Sequence, residues 1–137
     1  MFAGIQNVGI YYSNDGGQTW SLRGTGSSGL PTNSFDGDVQ LTPSGQLFTF
    51  TAVGTYYSVD KGQTWSLAGG LTLSGFNGAC STTGGILFGV NGGAVFRSDD
   101  SGGYWRDIWT ADAYNSYLML ADGASNLYIG GYGGAIC

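Results

Sequence analysis

The sequence contains no histidine and no glutamate, and it has few charged residues of either sign. Lysine and arginine together number 4 and the acidic residues, all of them aspartates, number 9, so charged residues make up 9% of the 137, against about 25% in an average domain. Four cations at a net charge of −5 cannot form a basic patch for nucleic acid. Without histidine, a Ser-His-Asp triad is impossible.

Long apolar runs are also missing. No stretch approaches the roughly 18 apolar residues of a membrane span, and residues 1–10 carry no cationic segment of the kind that opens a secretory leader. We therefore expect no membrane span and no signal peptide. Lysine and glutamate are strong helix formers, so their near absence argues against a helical bundle.

Glycine and aromatic residues are abundant instead. There are 27 glycines, roughly a fifth of the chain against a usual share of about 7%, and aromatic residues reach 15%. The hydrophobic share of 42% is enough to build a core. These features predict an all-β chain with tight turns, of a size that fits one domain. The low charge favours an extracellular or virion surface.

An internal repeat organises the chain. Three eight-residue boxes occupy residues 13–20, 58–65 and 98–105, and each ends in a tryptophan. An apolar pair and then a glycine-led strand precede each box, at 9–12, 54–57 and 93–96 for the strands. Leu127, Tyr128 and residues 134–137 begin a fourth copy of these flanks. Self-similarity at a period of about 40 residues indicates a repeat architecture.

Each repeat unit contains four short stretches of strand-forming residues separated by turn residues. Four antiparallel strands in roughly 40 residues is the size of one β-propeller blade. We therefore predict three four-stranded blades and a partial fourth, which this chain alone does not close into a ring. The predicted units are approximately 1–37, 38–77, 78–116 and, in part, 117–137. The connection at 23–38 is rich in glycine and serine and is predicted to be flexible.

The box pattern Ser-x-Asp-x-Gly-x-Thr-Trp resembles the Asp-box (BNR) repeat of sialidases, sortilin-like receptors, xyloglucan-hydrolysing propellers and photosystem assembly factors. The third copy departs from it, with Tyr104 in the place of threonine. The resemblance implies blades whose boxes stabilise hairpins at the blade edge, away from any catalytic centre. The residues to which we assign this structural role are Ser13, Asp15, Gly17, Thr19, Trp20, Ser58, Asp60, Gly62, Thr64, Trp65, Ser98, Asp100, Gly102 and Trp105.

The resemblance also raises the question of sialidase activity. Sialidases of this family use three arginines, a tyrosine nucleophile paired with glutamate, and an aspartate. A Tyr–Glu pair cannot form here, and Arg97 and Arg106 flank a box. We therefore predict no catalytic residue, no cofactor and no metal. A glycosidase with two catalytic aspartates stays open, as does calcium at Asp36 and Asp38, although the EF-hand spacing is missing.

The aromatic residues near the third connection are the candidates for contact with a ligand or a partner. They are Trp109, Tyr114, Tyr117 and Tyr132. Sugars stack on exposed aromatic rings, but aromatic residues in propellers also fill the core between blades. Cys80 and Cys137 allow either one disulfide or two buried thiols.

These observations together favour a non-enzymatic structural or interaction propeller, a component of an extracellular or virion assembly such as a phage tail appendage. The expected partner is another copy of the chain or the remainder of a longer propeller chain, with a glycan as a further candidate. A carbohydrate-binding propeller or a fragment of a glycoside hydrolase is the alternative. A protein-assembly factor is a third class.

Overall fold

The computed structural model describes residues 1–31, 35–68, 78–110, 116–122 and 126–131. These residues form antiparallel strands and one short 3-10 turn, Gly26–Ser28, and they contain no α-helix. The strands are β1 (Phe2–Ile5), β2 (Gly9–Tyr12), β3 (Ser21–Gly24), β4 (Phe35–Leu41), β5 (Leu47–Thr51), β6 (Gly54–Ser58), β7 (Ser66–Leu67), β8 (Gly78–Ser81), β9 (Leu87–Asn91), β10 (Ala94–Ser98), β11 (Arg106–Thr110), β12 (Ser116–Ala121) and β13 (Leu127–Gly131). The predicted all-β class is confirmed.

The strands form four sheets that follow one another along the chain. Their strand orders are β1-β2-β3, β4-β5-β6-β7, β8-β9-β10-β11 and β12-β13, and we call them blades 1 to 4. Within each sheet, every strand pairs with its sequence neighbour in the antiparallel sense. The predicted four-stranded antiparallel sheet is confirmed in blades 2 and 3, whereas blade 1 has three strands and the described part of blade 4 has two. No sheet is closed on itself in the part of the chain that is described.

Neighbouring blades pack against each other through apolar clusters, and each cluster draws residues from two blades. Strand β4 contacts β1 and β8, and β8 contacts β12. The buried centres of the clusters are Ile10, Leu30, Leu47 and Trp65 between blades 1 and 2; Phe48, Phe50, Ala79, Leu87, Phe96 and Trp105 between blades 2 and 3; and Cys80, Phe88, Val90, Val95 and Met119 between blades 3 and 4.

The apolar pair that precedes each box serves two interfaces. Leu47 lies in the cluster with blade 1, whereas its neighbour Phe48 lies in the cluster with blade 3. Successive side chains of a strand point to opposite faces of the sheet. All five residues of β5 are buried, as expected for a strand that is covered on both faces.

The prediction for the third glycine-led strand is wrong by one residue. Strand β10 begins at Ala94, which pairs with Asn91, and Gly92 and Gly93 form the two-residue turn between them. Both glycines have positive φ, +56° and +88°, as a tight hairpin turn requires. In blade 2 the glycine does begin the strand, since Gly54 is the first residue of β6 and pairs with Thr51.

Within the described ranges, no helix has the length and apolar character needed to cross a membrane.

Candidate functional site

The first box forms a closed set of hydrogen bonds around Asp15. The Ser13 hydroxyl donates to Asp15 Oδ1 (2.8 Å) and accepts the backbone N–H of Gly17 (2.9 Å). On the other side of the turn, Asp15 Oδ1 accepts the backbone N–H of Thr19 (3.0 Å) and Oδ2 accepts the Thr19 hydroxyl. One carboxylate therefore bonds both sides of the β2–β3 turn, as in an Asx-turn.

The second box repeats this arrangement atom for atom. The Ser58 hydroxyl donates to Asp60 Oδ1 (2.7 Å) and accepts the N–H of Gly62 (2.8 Å). Asp60 Oδ1 accepts the Thr64 N–H (2.9 Å) and Oδ2 accepts the Thr64 hydroxyl (2.6 Å). The same eight-residue pattern thus produces the same turn in two blades.

The third box keeps most of the network but lacks one bond. Ser98 donates to Asp100 Oδ1 and accepts the Gly102 N–H, each at 2.8 Å, and Asp100 Oδ1 accepts the backbone N–H of Tyr104 at 2.8 Å. Tyr104 has no hydroxyl on Cβ, so the threonine bond to the second carboxylate oxygen is missing from this box, all of which is described. The exposed Tyr104 ring projects into solvent instead.

These hydrogen bonds hold the box carboxylates in the charged form. The Thr64 hydroxyl is the main cause that lowers the pKa of Asp60 to about 2. The equivalent bond from Thr19 holds the pKa of Asp15 well below its usual range. For Asp100 the backbone N–H of Tyr104 is the main cause of a lowered pKa. Hydrogen bonds to an ionised carboxylate favour that form.

The turn itself needs two successive residues in the left-handed region. Gly62 and Gly102 have φ of +83° and +84°, and the residues before them, Lys61 and Ser101, have φ of +60° and +62°. The box pattern predicts the positive φ of the glycine, because glycine is one of its fixed positions. The pattern does not predict the positive φ of the residue before that glycine, since this residue is glycine, lysine or serine in the three boxes.

The box tryptophans have different surroundings. Trp65 and Trp105 are 5% and 2% exposed, whereas Trp20 is 41% exposed. The Trp105 ring packs edge-on against Phe50 of blade 2, with centroids 5.9 Å apart. Trp65 packs in the cluster with Ile10 of blade 1. The sequence suggests only that the ring covers its own hairpin, but Trp65 and Trp105 also fill the interface with the preceding blade.

The remaining candidate contact residues fall in different places. Trp109 lies on β11 opposite Val95, and its side chain is 53% exposed, so it does not fill the core between blades. Tyr117 lies on β12, but its side chain is outside the described part, as are those of Asp36 and Asp38. Tyr114, Tyr132 and Cys137 also lie outside the described residues, so the choice between one disulfide and two buried thiols stays open. Cys80 is buried in the cluster with Phe88.

The three arginines do not form one clamp. Arg97 and Arg106 both contact the carboxylate of Asp99. Arg23 lies elsewhere, over the ring of Tyr12 at 4.1 Å, and donates to the backbone carbonyl of Lys61 (3.2 Å). The arginines are thus engaged in blade hairpins.

Other carboxylates of the described chain bond to their own turns. Asp107 accepts the backbone N–H of Trp109 (3.1 Å), and Asp122 accepts the backbone N–H of Asn126 (2.9 Å). Where the chain is described, no three residues of the types His, Cys, Asp and Glu come together as a metal site would require.

A groove of about 620 Å³ lies where blade 1 meets the second box. Its lining residues are Ser21, Leu22, Arg23, Thr25, Ser27, Ser28, Gln63 and Thr64. They include hydroxyls and one cation but no carboxylate. The groove can offer hydrogen bonds to a polar ligand, yet it has no group suited to acid–base catalysis at neutral pH.

Comparison with known proteins supports the repeat and the fold. The family model of the BNR/Asp-box repeat matches residues 11–22 and 56–67. The third box, with Tyr104, lies outside the matched residues. A comparison with curated protein sequences gives no match.

Solved structures resemble the chain at low sequence identity. YCF48 bound to a D1 peptide has a TM-score of 0.62 at 17% identity over 93% of this chain, and a gluconolactonase from Xanthomonas campestris has 0.67 at 17% over 90%. A protein of unknown function from Dyadobacter fermentans has 0.55 at 18% over 89%. This chain covers 41%, 41% and 44% of those structures, less than half of each.

At such identities the likeness shows the fold alone. This fold agrees with three other observations: the hydrogen bonds around the box carboxylates, the order of the blades and the two matched repeats. The chain contains two BNR/Asp-box repeats and folds into blades of the β-propeller type.

Proposed function

We propose that this chain is a non-enzymatic interaction module, a propeller segment that serves as a structural component of an extracellular or virion assembly. One observation carries the proposal. The box carboxylates Asp15, Asp60 and Asp100 are each bonded within their own hairpin rather than directed at a shared cleft.

Glycoside hydrolysis needs two carboxyl groups that flank one bond, roughly 5 to 9.5 Å apart, and one of them must carry a proton. The box aspartates belong to three different blades. Their lowered pKa values keep them ionised at neutral pH, which makes them poor proton donors. Three copies of one arrangement also differ from an active site, which is a single asymmetric constellation.

Composition supports the placement in an assembly. Charged residues are only 9% of the chain, so few charges must be desolvated when a large surface is covered. The large hydrophobic residues that are exposed include Met1, Trp20, Leu120 and Tyr128. Met1 and Trp20 both lie beside Gly17, and Leu120 pairs with Tyr128. Adjacent exposed apolar side chains of this kind are typical of sites that bind another protein.

A screen of the purified chain against chromogenic glycosides and aldonolactones tests the proposal. We expect no turnover above the buffer rate at any pH between about 4 and 8. Turnover that disappears in an Asp60→Asn or Asp122→Asn variant that is still folded would overturn it.

A carbohydrate-binding role is the second candidate, and the exposure of Trp109 favours it. An exposed indole ring on a strand can stack on a sugar ring. Binding on a glycan array that is lost in Trp109→Ala, and retained in Tyr104→Ala as a matched exposed aromatic residue, would establish this role. Absence of binding by the wild-type chain at high micromolar concentration would contradict it.

A further inference from the structure

Two of the three interfaces between blades show what covers the tryptophan face of a blade. In blade 2 this face carries Leu47 and Trp65, and both are buried against blade 1. In blade 3 it carries Leu87 and Trp105, which are buried with Phe48 and Phe50 of blade 2. We call this side of a blade its head face.

Blade 1 has the same head face, but it is exposed. Met1 occupies the position of Leu47, because the carbonyl of Met1 accepts the N–H of Ser13 just as Leu47 pairs with Ser58. The side chain of Met1 also lies beside Gly17 as that of Leu47 lies beside Gly62. Yet Met1 and Trp20 are both exposed. Their equivalents are almost fully buried.

The opposite side of a blade, its tail face, shows the same contrast. In blade 3 the tail face carries Cys80 and Phe88, a cross-strand pair that is buried against blade 4. Leu120 and Tyr128 form the equivalent cross-strand pair in blade 4. They are 60% and 50% exposed.

We propose that the head face of blade 1 binds the tail face of blade 4 from a second copy of this chain. The internal interfaces show that every buried head face in the described chain meets the tail face of another blade. Each copy therefore presents both halves of an interface whose internal versions are already formed in the fold. The inference rests on the proposed interaction function and names its partner.

The contact is heterologous, because a head binds a tail rather than another head. Such contacts produce closed rings when the rotation between copies closes, and filaments when it does not. Trp20 is the expected centre of the contact, because buried tryptophans carry a large share of interface binding energy.

Sedimentation velocity of the full chain between about 1 and 200 µM tests the proposal. We expect association that increases with concentration. The head variant Trp20→Ala and the tail variant Leu120→Asp should each weaken self-association at least tenfold. Tyr104→Ala and Val59→Asp are matched controls, since both side chains are exposed but lie on a box turn, and they should associate as the wild type does.

A mixing experiment distinguishes head-to-tail contact from other contacts. Trp20→Ala retains its tail and Leu120→Asp retains its head, so their mixture should form 1:1 dimers that cannot extend further. Circular dichroism establishes whether each variant is folded. If Trp20→Ala does not fold, sedimentation velocity of the tail variant Leu120→Asp tests the proposal by itself.

Three outcomes would overturn the proposal: a wild-type chain that is monomeric at every concentration, variants that associate like the wild type, or folded variants that fail to pair when mixed. The first would assign the faces to neighbouring blades of a longer chain. None of these outcomes depends on the hydrolysis screen, so the failure of one proposal is distinguishable from the failure of the other.

Discussion

The backbone N–H of Trp65 in the second box donates to the carbonyl oxygen of Ser28, which belongs to the connection that leaves blade 1, over 2.8 Å. In the same connection, Leu30 is fully buried beside the Trp65 ring. The Ser28 hydroxyl also bonds the backbone of Thr25. The prediction of a flexible connection over 23–38 is therefore wrong for its described parts, since 23–31 is bonded to the next blade and 35–38 belongs to β4.

A side chain at Gly29 would disturb this attachment between the connection and blade 2. The φ of Gly29 is +93°, and a Cβ there would lie 2.5 Å from the carbonyl oxygen of Trp65. We expect Gly29→Ala to lower the free energy of unfolding by about 2 kcal/mol, because alanine is strained at this positive φ and its Cβ would clash with the Trp65 carbonyl oxygen. Gly26→Ala is the control, since its Cβ would meet nothing within 4 Å. Urea unfolding compares the two, and equal losses would contradict the expectation.

The box tryptophans should differ in their contribution to stability. Trp65→Ala should cost about 3–5 kcal/mol, the usual range for a buried tryptophan, because it leaves a cavity between blades 1 and 2. Trp20→Ala should cost clearly less in the isolated chain at low concentration, where its ring is partly in solvent. Differential scanning calorimetry of both variants measures the difference, and a larger loss for Trp20→Ala would refute the assignment of the faces.

Stability should depend on pH only at the acidic end. The unfolded-state pKa of an aspartate is near 3.8 and that of Asp60 in the fold is about 2, so protonation opposes folding. The stability that ionised Asp60 contributes is complete above about pH 5 and is lost as the pH falls from about 4 towards 2. Thermal unfolding at a series of pH values measures this loss, which should be smaller in Asp60→Asn. With no histidine present, we expect an almost flat profile between pH 6 and 8.

The third box can be completed by one substitution. Tyr104→Thr should restore the hydroxyl bond to Asp100 Oδ2 that Thr19 and Thr64 supply in the other boxes. We expect a gain of about 0.5–1.5 kcal/mol, the net value of one hydrogen bond, with little lost because the Tyr104 ring is exposed. Tyr104→Val has a similar shape without the hydroxyl. If valine stabilises as much as threonine in chemical unfolding, the hydrogen bond is not the cause.

Much of the fold could be predicted because the box is a local structure. Its serine, aspartate, glycine and threonine bond to one another within a few residues, so the pattern contains its own partners. The one-residue error at Ala94 has a different cause, since two adjacent glycines offer two places for the turn and only the pairing of Asn91 with Ala94 selects one. The exposure of Trp109 could not be read from the sequence either, because its type and spacing fit both a core and a surface position.

The sequence by itself determined the all-β class, the repeat and the three Asp-box turns, since these depend on alternation, glycine positions and hydrogen bonds between near neighbours. Only the tertiary structure decided which faces of the blades are covered. Trp20 and Trp65 occupy the same position in boxes that share every fixed residue of the pattern, yet one is exposed and the other buried. The reason is that burial depends on whether another blade lies against the ring, and in blade 2 that neighbour comes from residues far away in the chain.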